Sequence, residues 1–278
     1  MQKKILMLTI TTLLFQSCIN KKVTQSDVFN PVKEYEISEN FKFNRYFVNN
    51  TDTTELELWF LKEEQASFNL IYFSGNGSNI RSAIPFFNEL GVQFNLNIYS
   101  LNYSGYGLSD GKPSIDGIIK DGNIALDYFK NNINDENIPT VVLGYSLGGF
   151  VALNLISNDI IDQVIVMSTF TSLEELKDYL LKEALPGIIR PFLKLDIDQS
   201  IYQLNNITLV QQNSKPVLFI HGGADDFIPP SMSYNLYNLS PSSKKELKII
   251  EHADHRMVLK DSESNKQVVT EIKKFLKL

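Results

Sequence analysis

Along most of the chain, short continuous apolar runs alternate with longer stretches whose apolar residues recur every three or four positions. The runs are Asn69–Phe73, Asn97–Leu101, Thr140–Leu143, Gln163–Met167 and Pro216–Ile220, and a last predicted strand falls at the apolar stretch Leu247–Ile250. A strand that is apolar at consecutive positions buries both faces, as the strands of a parallel sheet do. Thr54–Leu61 differs: polar and apolar residues alternate, which predicts an antiparallel strand with one wet face. Helical patterns fall at Asn79–Leu90, Ile115–Asn131, Leu147–Ser157, Met232–Leu239 and Lys266–Leu278. Alternation of this kind predicts one α/β domain over 41–278, with a mostly parallel central sheet, helices on both faces and right-handed crossovers.

Two segments break the pattern. Ser172–Asn213 reads as helical and strandless, interrupted at Pro186-Gly187 and at Pro191. Its apolar positions (Leu173, Leu176, Tyr179, Leu180, Leu185, Ile188, Ile189, Phe192, Leu193) exceed what one face of a short helix needs, so a short helical lid is expected over about 172–213. At the other end, Lys3 and Lys4 precede an apolar run from Ile5 to Phe15, then Gln16-Ser17-Cys18. A basic start and a short apolar core are the pattern of an export signal, here 1–17. With a cysteine just after the small residue Ser17, the segment resembles a bacterial lipoprotein signal cleaved before Cys18. That resemblance implies lipidation of Cys18 and an exported lipoprotein anchored to a membrane of the bacterial cell envelope. The competing readings are an ordinary cleaved signal with an incidental cysteine, or a cytosolic protein with an apolar N-terminus. Residues 18–40 are expected to be a tether, because Asn20–Asn30 is polar and aperiodic.

Composition narrows the field. With 43% hydrophobic and 21% charged residues the 278-residue chain is not a disordered one. A net charge of −6, and a pI near 5.2, argue against a nucleic-acid partner held by a general basic surface. Removing Lys3 and Lys4 with the signal takes the charge from −6 to −8, so an acyl anchor would hold an acidic body without basic help. No run reaches the roughly 20 apolar residues of a membrane-spanning helix. One cysteine excludes an intrachain disulfide framework and a Cys-rich zinc site.

The strongest chemical signal is Gly144-Tyr145-Ser146-Leu147-Gly148-Gly149, a G-x-S-x-G sequence between a buried strand and a helix. A sharp strand-to-helix turn there would expose the Ser146 hydroxyl at its apex, beside unpaired helix N–H groups. A serine needs an adjacent base, and the base needs a carboxylate to orient it. The chain has three histidines. His221 ends a buried strand and suits turn geometry; His252 reads as a partly buried strand-end residue; His255 lies clear of the strand and is the preferred base. Of the adjacent acids after the Pro216–Ile220 strand, Asp225 is preferred and Asp226 is the alternative.

Ser146, Asp225 and His255 occur in the serine–acid–histidine order of the α/β-hydrolase superfamily. Tyr72-Phe73-Ser74-Gly75-Asn76-Gly77 resembles the oxyanion loop of its depalmitoylating and serine-aminopeptidase-like members, with Ser74 where a histidine is usual. Asn102-Tyr103-Ser104-Gly105-Tyr106-Gly107 is similar to another of their segments, with Ser104 in place of an arginine. The resemblance spans roughly Thr54 to the C-terminus. It implies the α/β-hydrolase fold and an oxyanion hole built from the backbone N–H groups of Leu147 and Asn76. Tyr103, Tyr106 and the lid apolars are either core or substrate contacts. The expected activity is that of a serine hydrolase acting on carboxylic ester or thioester bonds of a small-molecule or acylated substrate, with no cofactor or metal implied. Alternatives are an amidase or peptidase using the same residues, and a non-catalytic binding lipoprotein on the same scaffold.

Overall fold

The computed structural model describes residues 19–33, 43–51, 53–133, 137–187, 193–257, 259 and 262–277. The expected signal and Cys18 lie outside the described residues, as do 34–40 of the expected tether and Ile188, Ile189, Pro191 and Phe192 of the expected lid.

Ten strands occur among the described residues: β1 Ile19–Val23, β2 Asn44–Thr51, β3 Thr54–Leu61, β4 Phe68–Phe73, β5 Leu96–Leu101, β6 Thr140–Tyr145, β7 Gln163–Met167, β8 Leu193–Ile197, β9 Val217–Gly222 and β10 Lys245–Ile250. Eight form one sheet in the order β10-β9-β7-β6-β4-β5-β3-β2. β4 to β7, β9 and β10 run parallel; β3 and β2 join antiparallel at one edge. All five apolar runs and the Leu247–Ile250 stretch are strands of this sheet.

Two hydrophobic layers explain why those runs are continuous. Successive side chains of a strand point to opposite faces. Ile71 and Phe73 therefore join Val142, Val166 and Phe219 in one layer, and Leu70 and Tyr72 join Leu143, Ile165 and Ile220 in the other. The first layer is covered by helices at Ile115–Asn132, Leu147–Leu155 and Ser231–Leu239, the second by Ile84–Gln93 and Ser262–Leu276. The Ile115–Asn132 helix starts where Ser114 Oγ accepts the Gly117 N–H at 3.0 Å, a cap worth about 1 kcal/mol.

Three expectations are corrected. β3 is antiparallel but has no wet face: Leu56 to Phe60 are all buried, Glu57 included. Its polar alternation serves an internal network. Glu57 accepts from Trp59 Nε1 at 2.8 Å, Asn102 Nδ2 at 2.7 Å and the Leu108 N–H at 2.8 Å, and pairs with Arg45 at 3.3 Å. Second, Ser172–Asn213 is not strandless, since it contains β8 between the helices Leu173–Ala184 and Asn206–Gln211. Third, residues 19–33 are not a loose tether. β1 pairs in parallel with β8 from Ile19↔Leu193 to Val23↔Ile197, a short helix follows at Gln25–Val28, and Phe29 is buried in the core. The polar sequence of 20–30 hid this because backbone hydrogen bonds supply the attachment and need no apolar pattern.

Candidate active site

The carboxyl ends of β4, β6, β9 and β10 converge on one rim of the sheet, the side on which open α/β sheets bind ligands. Ser146 follows β6 at a turn with φ 53° and ψ −114°, a conformation that costs a non-glycine residue about 1–3 kcal/mol. The surroundings hold it there: the Ser146 N–H donates to the Met167 carbonyl at 2.8 Å, and Thr169 Oγ1 donates to the Ser146 carbonyl at 2.8 Å. Close approach also dictates a glycine at 148, where a Cβ would sit 2.0 Å from the Phe73 carbonyl oxygen.

Asp225 and His255 come from loops that touch. A Cβ at Gly222 would lie 2.4 Å from the Ala253 oxygen, and the Ala224 N–H donates to that same carbonyl at 3.0 Å. The contact brings His255 Nδ1 to 2.7 Å from Asp225 Oδ2 and His255 Nε2 to 3.2 Å from Ser146 Oγ. A carboxylate only accepts, so the imidazole proton sits on Nδ1 and Nε2 is left to accept from the serine hydroxyl. Burial pushes the Asp225 carboxyl up, but hydrogen bonds from His221, His255 and the Ile228 N–H, with electrostatic attraction to the His255 imidazole, outweigh it and hold it at about 2. The carboxylate is thus charged across the neutral range. Asp226 is exposed and its carboxylate does not take this place. His252 is exposed as well, not partly buried as expected.

His221 was expected to serve only the turn. It is fully buried, its Nε2–H donates to the Ile228 carbonyl at 2.8 Å and lies 3.2 Å from Asp225 Oδ2, and its Nδ1 accepts from Ser233 at 2.6 Å. Asp225 is therefore flanked by two imidazoles. The spacing of four residues between His221 and Asp225 was the available signal. Tyr145 was also missed: its hydroxyl donates to the His255 carbonyl at 2.7 Å and its ring packs on the imidazole at 5.6 Å between centroids. Phe227 packs edge-on against the imidazole at 5.2 Å.

Asn76 lies after β4 beside the Ser146 turn. Its side chain is held at both ends of the amide, accepting from the Asn30 N–H at 2.8 Å and from Tyr106 Oη at 2.7 Å and donating to the Val28 carbonyl at 2.6 Å. The backbone N–H groups of Asn76 and Leu147 have no acceptor among the described residues. Tyr103 and Tyr106 are core residues that brace this loop: Tyr103 donates to the Ser74 carbonyl at 3.2 Å, and neither ring lines the cavity beside Ser146. Ser74, where a histidine was usual, is buried with its hydroxyl unpartnered among the described residues. Ser104, in place of the arginine, anchors its loop inward through Asp121, which accepts from the Ser104 N–H at 2.7 Å and from its hydroxyl at 3.0 Å.

Two spaces meet at Ser146. On one side is an apolar cavity of about 370 Å³ walled by Leu147, Leu176, Leu180, Ile197, Val28 and Phe170. On the other is a polar cleft of about 700 Å³ lined by His255, Ser78, Ser82, Asp226, Asp254 and Arg256. His255 lines only the cleft.

The family described as serine aminopeptidase, S33 matches residues 201–263, the stretch holding Asp225 and His255. The chain is 30% identical to YfhR of Escherichia coli K12 over 212 residues, covering 73% of this chain and 70% of that protein. It is 29% identical to the Arabidopsis thaliana α/β hydrolase domain-containing protein WAV2 over 238 residues, 79% of this chain and 74% of the other. In three dimensions it is similar to the Pyrococcus furiosus esterase Pf2001, with a TM-score of 0.71 at 19% identity over 90% of this chain and 97% of that one. Sequence relatives across most of the chain and a shared fold lead to one conclusion: the protein belongs to the α/β-hydrolase family.

Proposed function

We propose that this protein is a serine hydrolase that cleaves carboxylic ester or thioester bonds through an acyl-enzyme on Ser146. The observation that carries this reading is the serine–imidazole–carboxylate chain of 3.2 and 2.7 Å at the apex of a strained strand-to-helix turn. His255 Nε2 takes the Ser146 proton as Oγ attacks the acyl carbon, and the charged Asp225 steadies the imidazolium. The Leu147 and Asn76 N–H groups receive the negative charge that develops on the carbonyl oxygen; losing one such donor costs about 2.7–4 kcal/mol in comparable sites. The imidazolium must protonate the departing oxygen or sulfur, so the leaving group belongs in the cleft lined by His255. The acyl chain then occupies the apolar cavity. Water activated by His255 releases the acid and restores Ser146. The similarity to an esterase of known structure is in keeping with this reading.

The test is a fluorophosphonate label with peptide mapping, followed by matched p-nitrophenyl ester, thioester and p-nitroanilide substrates. Stoichiometric labelling of Ser146 and turnover of esters or thioesters are expected; labelling elsewhere, or turnover confined to anilides, would overturn the assignment or turn it to an amidase.

The same proposal includes a lipid anchor at Cys18, on the motif at residues 16–18. Among the described residues no helix is long and apolar enough to cross a membrane. Because β1 begins at Ile19, an anchor on Cys18 would have almost no slack before the folded body. The native protein should partition into a detergent phase and Cys18→Ser should not.

A further inference from the structure

The segment from Val23 to Asn30 crosses the site. Its outer end is hydrogen-bonded into the insertion after β7: β1 runs alongside β8, the Asp198 N–H donates to the Val23 carbonyl at 3.0 Å, and Gln25 Nε2 donates to Ser200 Oγ at 2.8 Å. Gln25 Oε1 also accepts the Ile115 N–H at 3.0 Å, so one side chain ties the insertion to the helix that covers the sheet. Its inner end is pinned to the core by buried Phe29 and, farther on, by the Gly107 N–H donating to the Val32 carbonyl at 2.8 Å. Between these anchors Val23 and Val28 wall the apolar cavity, and Asn30 lines the cleft.

The same segment grips Asn76. The Val28 carbonyl takes the Asn76 amide N–H at 2.6 Å, and the Asn30 N–H gives to the amide oxygen at 2.8 Å. These two bonds and Tyr106 engage both the oxygen and the nitrogen of the amide. Asn76 cannot turn without breaking one of them, which fixes the direction of its own backbone N–H beside Ser146.

We propose that residues 23–30 are a strap belonging to the substrate site: Val23 and Val28 set the acyl chain the cavity accepts, and the backbone of Val28 and Asn30 positions Asn76. The inference rests on the hydrolase reading of Ser146. It makes the N-terminal segment a specificity and positioning element, not a spacer.

The test uses the full mature chain and p-nitrophenyl esters of four, eight and twelve carbons. Val28→Phe fills cavity volume and should lower kcat/KM for the twelve-carbon ester at least tenfold relative to the four-carbon one, with Val23→Phe acting in the same direction. Asn76→Ala keeps the N–H but releases the grip. It should lower kcat at least tenfold while KM for the four-carbon ester stays within about twofold and the melting temperature is kept. If Ser146 is labelled by fluorophosphonate and the wild type turns over esters, yet folded valine variants keep the wild-type chain-length ratio, the specificity role is overturned. An unchanged kcat in Asn76→Ala overturns the positioning role. A wild type that neither labels at Ser146 nor turns over any ester removes the hydrolase reading, and the strap with it.

Discussion

The two sides of Ser146 are built differently. Apart from Asn30, the polar cleft is made by segments that follow the parallel strands β4, β6, β9 and β10, held by contacts such as Gly222 against the Ala253 carbonyl. The apolar cavity is floored by residues that follow strand ends, Asn76, Ser146, Leu147, Phe170 and Ile228, but roofed by pieces far apart in the chain: the helix at Leu173–Ala184, β8, and the strap at 23–30. Strand ends in a packed sheet are fixed to fractions of an ångström by the ladder beneath them, which suits groups that must exchange a proton. A roof of separate segments joined by one short ladder can change its lining without disturbing that geometry. Under the proposed hydrolase reading, the contrast assigns reaction chemistry to the sheet rim and chain selection to the roof.

The comparison can be broken most directly at the shared point. Ser146→Ala should lower kcat by about a millionfold, as loss of the nucleophile does where such residues act as a unit; a loss confined to long-chain esters would contradict a single reaction centre. Asp225→Asn should cost about 10⁴ in kcat, because the imidazole loses the acceptor that fixes its proton on Nδ1. His252→Ala, an exposed change outside the site, should keep most activity in the same assay.

Asp225 also predicts a pH effect on stability. Its carboxyl is held at about 2 in the fold, below the roughly 3.9 of a free aspartate. The charged form therefore stabilises the fold fully above the free value, and that contribution is lost as pH falls from about 4 toward 2. Thermal melts of wild type should lose stability across that window, and Asp225→Asn should show a shallower decline there.

On the roof, Leu176→Ala removes a buried side chain that lines the cavity. Contact with two substrate methylenes is worth about 1.6 kcal/mol at roughly 0.8 kcal/mol each, so the long-to-short acyl ratio should fall about tenfold. A stable variant with a flat profile would make the roof mere cover. The smallest effect belongs to the rim of the cleft. Arg256→Ala removes an exposed charge worth at most about 1 kcal/mol, so KM for esters with anionic leaving groups should rise no more than about fivefold. The acyl-length ratio should not move; if it does, the two sides are not independent.

Much of this site was legible in the chain. Gly144 to Gly149 announced the turn because only glycine tolerates the approach of Phe73 at 148, and Asp225 and His255 stood a few residues past apolar stretches that form β9 and β10. What escaped was polar. Glu57 read as the wet face of a strand and is an internal hub; His221 read as a turn residue and holds Asp225. Residues 20–30 read as a spacer and are a wall of the cavity. Apolar periodicity records which faces leave water, and a polar side chain gives no sign of whether its partner will be solvent or another residue.

The sequence by itself determined the layered α/β sheet and the order of serine, acid and histidine. Burial of both strand faces leaves a continuous apolar run in the sequence, and close backbone contact leaves a glycine. Only the tertiary structure decided that the chain's first described strand pairs with a strand in the insertion 174 residues later, and that the Val28 carbonyl and Asn30 N–H hold Asn76. On the side of residues 19–30 those links are made by main-chain N–H and C=O groups, which almost every residue carries alike, so nothing in that segment's side chains could foretell them.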